Sequence, residues 1–172
     1  FSAIPAAMRW SSRLSTMNAA SLHAETVARL AGLGALALVL GALGFQYIGG
    51  MAPCEMCHWQ RWPHIAAAII GILGVVFLRD KARLLAWIVV ALVLASGLIG
   101  LYQAGMQLGI LPGPSSCSGH RFVLGSNMVP DVQCDVVSWQ LFGLSLAAYN
   151  AIFSFLIAAL AGFALSRGSD AA

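Results

Sequence analysis

Charge is what this sequence has least of. Only 9% of its 172 residues are Asp, Glu, Lys or Arg, and Lys81 is the single lysine. A soluble domain carries about 25% charged residues. With 60% hydrophobic residues and a mean hydropathy of +0.86, the chain has more apolar surface than a soluble core of this size can hide, so the bilayer is its solvent. The net charge of +3 is small and no Lys/Arg cluster stands out, which excludes a nucleic-acid surface. Internal repeats and low-complexity tracts are also absent, and the length allows one domain. Residues 1–26 lack a continuous apolar core of signal-peptide length and are expected to form a flexible tail. Cysteine is scarce too. There are four, with one C-x-x-C and no second such pair, so a zinc ribbon fits poorly and no metal site is expected.

What the chain does have is four apolar segments: Leu30 to Ile48, Trp62 to Leu78, Leu84 to Leu101 and Leu141 to Leu165. A spanning helix needs about 20 such residues. Length and the lack of alternation predict helices rather than strands. The expected fold is an all-α membrane protein, a four-transmembrane-helix bundle over residues 27–166 with cysteine-bearing outer loops and a short tail at 167–172. Between the second and third spans lies only Arg79-Asp80-Lys81-Ala82-Arg83. Arg9, Arg13 and Arg29 precede the first span and Arg167 follows the fourth, so seven of the nine basic residues fall on one side. The positive-inside rule assigns that side, with both termini, to the cytoplasm. Segments 49–60 and 107–138 then face outward with all four cysteines, into a compartment where disulfides persist. Phe122, Val123, Leu124, Met128 and Val129 are scattered through the second of these, a pattern that suits a loop lying on the membrane surface.

Cys54-Glu55-Met56-Cys57 places two sulfurs about one helical turn apart. Pro53 directly before Cys54 suits a helix start, where unpaired backbone N–H groups lower a thiol pKa. Cys117 and Cys134 form a second pair in the outer loop. A dithiol plus a second cysteine pair is what a chain needs to pass electrons by thiol–disulfide exchange. The bland alternative is buried apolar cysteines or static disulfides. Arg61 follows Cys57 by four residues, on the same helical face, near the hydrocarbon boundary. A charge there costs on the order of 2–3 kcal/mol at a helix centre and less near the end. The guanidinium either snorkels to head groups or serves the Cys57 thiolate or a ligand carbonyl, and its pairing with Cys57 favours the second reading. His64, three residues on, is a candidate proton carrier or an interfacial residue bonded to a backbone carbonyl. Glu55 opposes thiolate formation and is expected to face water. Trp59, Trp62 and Trp139 match an outer aromatic belt, and Asn150 reads as interhelical glue.

Pro53-Cys54-Glu55-Met56-Cys57-His58-Trp59-Gln60-Arg61, a P-C-x-x-C-x-x-x-R motif, resembles the DsbB family. The four-span layout, Gly113-Pro114-Ser115-Ser116-Cys117 and Cys134-Asp135 with Trp139-Gln140-Leu141-Phe142-Gly143-Leu144-Ser145 extend the likeness over roughly residues 30–165. The resemblance implies a bacterial inner-membrane protein that reoxidises a DsbA-like periplasmic thiol oxidase and passes electrons to a membrane quinone, ubiquinone or menaquinone. It implies that Cys117 is attacked by the soluble oxidase and that Cys134 exchanges with Cys54, the disulfide partner of Cys57. Cys57 and Arg61 would sit at the quinone, with Cys57 making the thiolate–quinone contact. The best-known members carry a histidine just after a tyrosine near the end of the third span. Here Tyr102 is followed by Gln103 and Ala104, which leaves His64 or Gln103 as candidate proton donors. Two other readings remain at this point. One is a vitamin K epoxide reductase-like enzyme, in which the loop cysteines precede the C-x-x-C rather than follow it. The other is a tetraspan scaffold or transporter with structural disulfides.

Overall fold

The computed structural model describes residues 6–114, 117 and 133–170. Four helical stretches are long and apolar enough to cross a membrane: Ala20–Tyr47, Glu55–Phe77, Arg79–Gln107 and Leu146–Gly168. The first lies in α1 (Ala6–Tyr47). The second is α2 (Glu55–Ile69), a π-helical turn over Ile70–Gly74 and the short α3 (Val75–Phe77). A 3-10 turn, Arg79–Lys81, leads directly into α4 (Ala82–Gln107), and α5 (Leu146–Asp170) closes the bundle. Helix α4 packs against α1, α2 and α5. The all-α four-helix membrane bundle expected from the sequence is the fold observed.

Small residues let these helices approach. Ala28, Ala31 and Ala35 on α1, Ala67 on α2, Ala86, Val89 and Val93 on α4, and Ala158 and Ala161 on α5 form the buried core. Leu30, Leu40, Leu84, Leu98, Leu156 and Leu160 point outward and are exposed. Lipid tails are as apolar as leucine, so the bundle gains by close van der Waals contact between small residues rather than by burying large ones. At the tightest crossing, a Cβ on Gly32 would stand 3.1 Å from Gly71 Cα, and one on Gly71 would collide with the Ala28 carbonyl oxygen.

Several boundaries differ from the sequence expectation. Residues 1–26 were expected to be a flexible tail, but the chain is helical from Ala6. No Gly or Pro interrupts it between Ala6 and Ala31, and Ala24 and Val27 are buried against the bundle. His23 Nε2 meets the Ala164 carbonyl at 3.0 Å, which ties this stretch to α5. The C-terminal tail expected at 167–172 is likewise helical as far as Asp170. The fourth span begins at Leu146 and not Leu141, because Gln140–Leu141 (β1) pairs antiparallel with Leu144–Ser145 (β2). Phe142 (φ 50°) and Gly143 (φ 78°) make the connecting turn with two positive φ values, the geometry that suits a two-residue hairpin. Finally, α2 starts at Glu55 and α4 runs on to Gln107, so Cys54 caps a helix while Cys57 and Gln103 sit on helices. The expected surface-lying stretch 122–129, with His120 and Arg121, lies outside the described residues.

Gly71→Val should lower stability by about 1–3 kcal/mol through overpacking at the Gly32–Gly71 crossing. Thermal unfolding in detergent would show it as a lower midpoint. Gly44→Ala, where nothing lies within 4 Å of the added methyl, should show no such loss.

Candidate active site

Cys54 is the residue that starts α2. Its backbone is extended (φ −76°, ψ 169°), and its Sγ accepts the Cys57 backbone N–H at 3.3 Å, the place a serine or aspartate usually fills at a helix start. That cap turns both sulfurs inward, 2.8 Å apart, while Glu55 between them is exposed. Cys54 is buried and Cys57 half-buried. The Cys57 sulfur beside it, together with burial, pushes the Cys54 thiol up from its ordinary value.

Cys117 and Cys134 form a disulfide, with Cα atoms 5.3 Å apart. The Cys134 N–H also bonds the Cys117 carbonyl at 2.9 Å. Both cysteines pack into one buried cluster with Cys54, Met56 and Met106, against which Cys57 and Ile99 lie. The two cysteine pairs, far apart in sequence, therefore occupy a single buried cluster at the N-terminal end of α2 and the C-terminal end of α4.

Between them stands Gln103, buried on α4. Its Nε2 donates to Cys54 Sγ at 3.2 Å and to the Cys134 carbonyl at 3.4 Å, and lies 3.9 Å from Cys57 Sγ. Its Oε1 accepts from Gln60 Nε2 at 2.5 Å. Gln60 Oε1 in turn accepts from Asn150 Nδ2 at 2.8 Å. Asn150 Oδ1 meets His64 Nε2 at 3.0 Å, and Ser154 Oγ lies 3.2 Å from the same nitrogen. Ser96 joins by donating to the Gln60 carbonyl at 2.8 Å. A continuous chain of polar side chains thus runs from the cysteines down the seam of α2, α4 and α5.

Arg61 is turned against α1. Its Nη1 donates to Gln46 Oε1 at 2.5 Å and its Nη2 reaches the Ala42 carbonyl at 3.4 Å. Its Nε is buried without a partner, and among the described residues no acid pairs with it. An arginine that merely snorkelled would send its head to the interface, and this one spends its donors inside the bundle. Arg61, His64, Cys54 and Cys57 all line one cavity of about 370 Å³ between α1, α2, α4 and α5. That volume lies in the range of small-molecule sites. His64 Nδ1 is buried there with no partner. Trp139 closes part of the wall, 4.9 Å from Phe45 and 6.2 Å from Tyr149 between ring centroids, so it packs within the site rather than serving only as a belt residue.

Every site residue singled out from sequence is in this region, and His64 is bonded by side chains rather than by a backbone carbonyl. Gln60 and Gln46 are site partners that no sequence motif marks, and Asn150, expected as interhelical glue, also bonds His64. The available signal was spacing: Cys57, Gln60, Arg61 and His64 fall at i, i+3, i+4 and i+7, one face of α2.

A family model described as disulfide bond formation protein DsbB matches residues 24–164. The chain belongs to the DsbB family. A disulfide bond formation protein B of Aromatoleum aromaticum is 31% identical over 151 residues, covering 78% of this chain and 90% of that protein. The namesake from Pseudoalteromonas translucida is 32% identical over 133 residues, 71% and 77% of the two chains. One from Pseudomonas savastanoi is 36% identical over 90 residues, about half of each chain. No solved structure matches. A DsbB-family member with four spans is a multi-pass membrane protein of disulfide-bond formation, and the vitamin K epoxide reductase-like alternative falls away.

Asn150 is the joint of this DsbB-family member's polar chain. Asn150→Leu should strand Gln60 Oε1 and deprive His64 of one partner. A cost of about 1–3 kcal/mol is expected, measurable as a lowered unfolding midpoint in detergent.

Proposed function

We propose that this protein is a quinone-dependent protein-disulfide oxidoreductase of the bacterial inner membrane. It reoxidises a DsbA-like periplasmic thiol oxidase, with both termini cytoplasmic and the cysteines facing the periplasm. The observation that carries the proposal is a C-x-x-C opening into an apolar cavity that also holds an inward-turned arginine with no acid partner among the described residues. A static disulfide scaffold needs neither feature. The bias of basic residues toward the 79–83 connection and the termini supports the orientation.

The cavity's donor set suits a quinone, ubiquinone or menaquinone. Its walls are mostly apolar, and among the polar groups on them Arg61 has its Nε–H unpaired, His64 its Nδ1 and Gln107 its Oε1. A quinone bound there would take up two electrons and two protons. The chain's residues do the rest. A thiolate of the soluble oxidase attacks Cys117 Sγ, the Cys117–Cys134 bond breaks, and Cys134 leaves as the thiolate. Cys134 then attacks Cys54 Sγ, and Cys57 leaves as the thiolate facing the cavity. The oxidase's second thiol displaces Cys117 and completes the oxidase's own disulfide. Cys117 then attacks the Cys134–Cys54 bond, which re-forms the loop disulfide and leaves Cys54 and Cys57 as the dithiol. Each dithiol oxidised releases two electrons and two protons, which balances the uptake. Arg61 offers positive charge and planar donors where negative charge develops, and His64 lies deeper on the same face of α2.

Quinone reduction by the purified protein with a reduced thiol oxidase tests the proposal. Cys57→Ser should abolish it while the protein still inserts, since insertion depends on the apolar spans; wild-type turnover in that variant would overturn the reading. Arg61→Lys should raise the KM for quinone, because an ammonium lacks the planar fork. Arg61→Ala should cost on the order of 1.5–3 kcal/mol in kcat/KM, the scale of one charge-assisted hydrogen bond. Unchanged KM and kcat in both would reduce Arg61 to a packing residue.

The two loop cysteines should differ in kind. With a soluble oxidase that keeps only its attacking thiol, that thiolate should displace Cys134 and leave a mixed disulfide on Cys117, which persists because the oxidase has no second thiol to resolve it. Non-reducing gels and peptide mapping of the wild-type adduct would locate it, and attachment to Cys134 instead of Cys117 would show that the roles are reversed.

A further inference from the structure

We infer that Gln103 is the positioning residue for exchange between the two cysteine pairs. This inference rests on the proposed electron path, and it assigns a task within that path to a side chain that is not itself redox-active. In the exchange, the Cys134 thiolate attacks Cys54 Sγ. A Cys134–Cys54 bond forms, the Cys54–Cys57 bond breaks, and the electron pair leaves on Cys57 as the thiolate. The number of disulfides is unchanged and no outside oxidant is needed. The step requires that a residue on an outer loop be held against a residue at a helix start.

Gln103 supplies that connection. One carboxamide nitrogen has two hydrogens, and the two nearest acceptors are one from each pair: Cys54 Sγ at 3.2 Å and the Cys134 carbonyl at 3.4 Å. The Cys134 carbonyl can only accept, so the atom facing it must be the NH2 group. The side-chain oxygen is then left to face Gln60, which donates to it. Gln60 is held in turn by Asn150. The rotamer of Gln103 is therefore fixed from behind by α2 and α5, and its donors are fixed in front on the two cysteines. Gln103 is 2% exposed, so water does not compete for these bonds. Cys134 lies on the loop outside the helices, and its hydrogen bonds to the helical bundle include this one. The same NH2 group, 3.9 Å from Cys57 Sγ, also faces the sulfur on which the electron pair leaves.

A merely space-filling Gln103 would give the same burial, so the test must separate the two roles. In a Cys57→Ser/Cys117→Ser protein only Cys54 and Cys134 remain as cysteines. Equilibration of this purified protein with mixtures of reduced and oxidised glutathione, followed by alkylation and mass spectrometry, gives the effective concentration of one thiol for the other. Gln103→Met keeps the volume and removes both donors. Gln103→Glu keeps the acceptor for Gln60 and removes the NH2 group. Both should lower the effective concentration about tenfold or more, the scale of one lost hydrogen bond. In the companion Cys117→Ser/Cys134→Ser protein, formation of the Cys54–Cys57 disulfide depends first on the opening turn of α2, so the loss there should be no more than about a third of that for Cys54–Cys134. Wild-type effective concentrations for Cys54–Cys134 in both Gln103 variants would overturn the inference. So would an equal loss in both cysteine backgrounds, which would mark Gln103 as a general packing residue. Neither quinone nor soluble oxidase enters this measurement, so its failure is separable from failure of the proposed function.

Discussion

The lipid environment offers a buried polar group no partner, and the interior of this bundle is arranged around that constraint. Every amide, imidazole or hydroxyl brought between the spans must find its hydrogen bond on another span. Gln103, Gln60, Asn150, His64, Ser154 and Ser96 meet it together, in one chain across α2, α4 and α5. Apolar packing of alanines and valines tolerates small rotations of a helix about its axis, since one methyl does nearly the work of another. A chain of directional hydrogen bonds does not. The polar seam therefore sets the rotation of α2, and that rotation aims Cys57, Arg61 and His64 at the cavity instead of the lipid.

Much of this was legible in the residues alone, where the signal was composition or spacing. Long apolar segments gave four helices, and the C-x-x-C with Arg61 one turn later marked the site. The ends of the helices were less legible, because the signals there compete. Residues 20–26 read as polar, yet Ala24 and Val27 are buried and Glu25 is held by Arg29 at 3.3 Å and by Arg79 at 4.0 Å. A carboxylate with two arginines can be tolerated where a lone one cannot, and Arg79 comes from a distant segment that no local pattern announces. Leu141 to Ser145 looked like the start of a helix because its residues are apolar; the Phe142-Gly143 turn was the overlooked sign. Gln103 was visible only as a departure from a family pattern. Its role between the two pairs depends on which helix faces which, and that is tertiary information.

The helical irregularities have local causes that serve the same arrangement. Pro63 lies within α2, where it has no N–H to give the preceding turn. Farther along, the π-helical turn at Ile70–Gly74 places Gly71 against Gly32 and Ala28 of α1. A π-turn shifts the register of a helix's faces. Here it lets the N-terminal part of the second span present its polar face to the cavity and the polar seam, while the part around Ala67 and Gly71 packs against α1. One helix thus supplies both a site wall and a close-packed crossing.

The chemistry proposed for the pocket accords with amides rather than acids on its walls. A thiolate in a dry site is costly unless donors meet it. Around the C-x-x-C the donors are the NH2 group of Gln103 and the backbone N–H of Cys57, while Arg61 sits on the same cavity wall. None of these brings a negative charge. The one acid within the C-x-x-C, Glu55, is exposed, and the buried acid Glu25 is kept on α1 beside its two arginines. Because the seam below the cysteines is uncharged, negative charge can shift from one sulfur to the next without facing a fixed carboxylate. A glutamate in place of Gln60 or Gln103 would repel each thiolate formed in front of it unless it took up a proton. Neutral amides give the direction of a hydrogen bond without that opposition, and this is the property a relay of thiols requires of its walls.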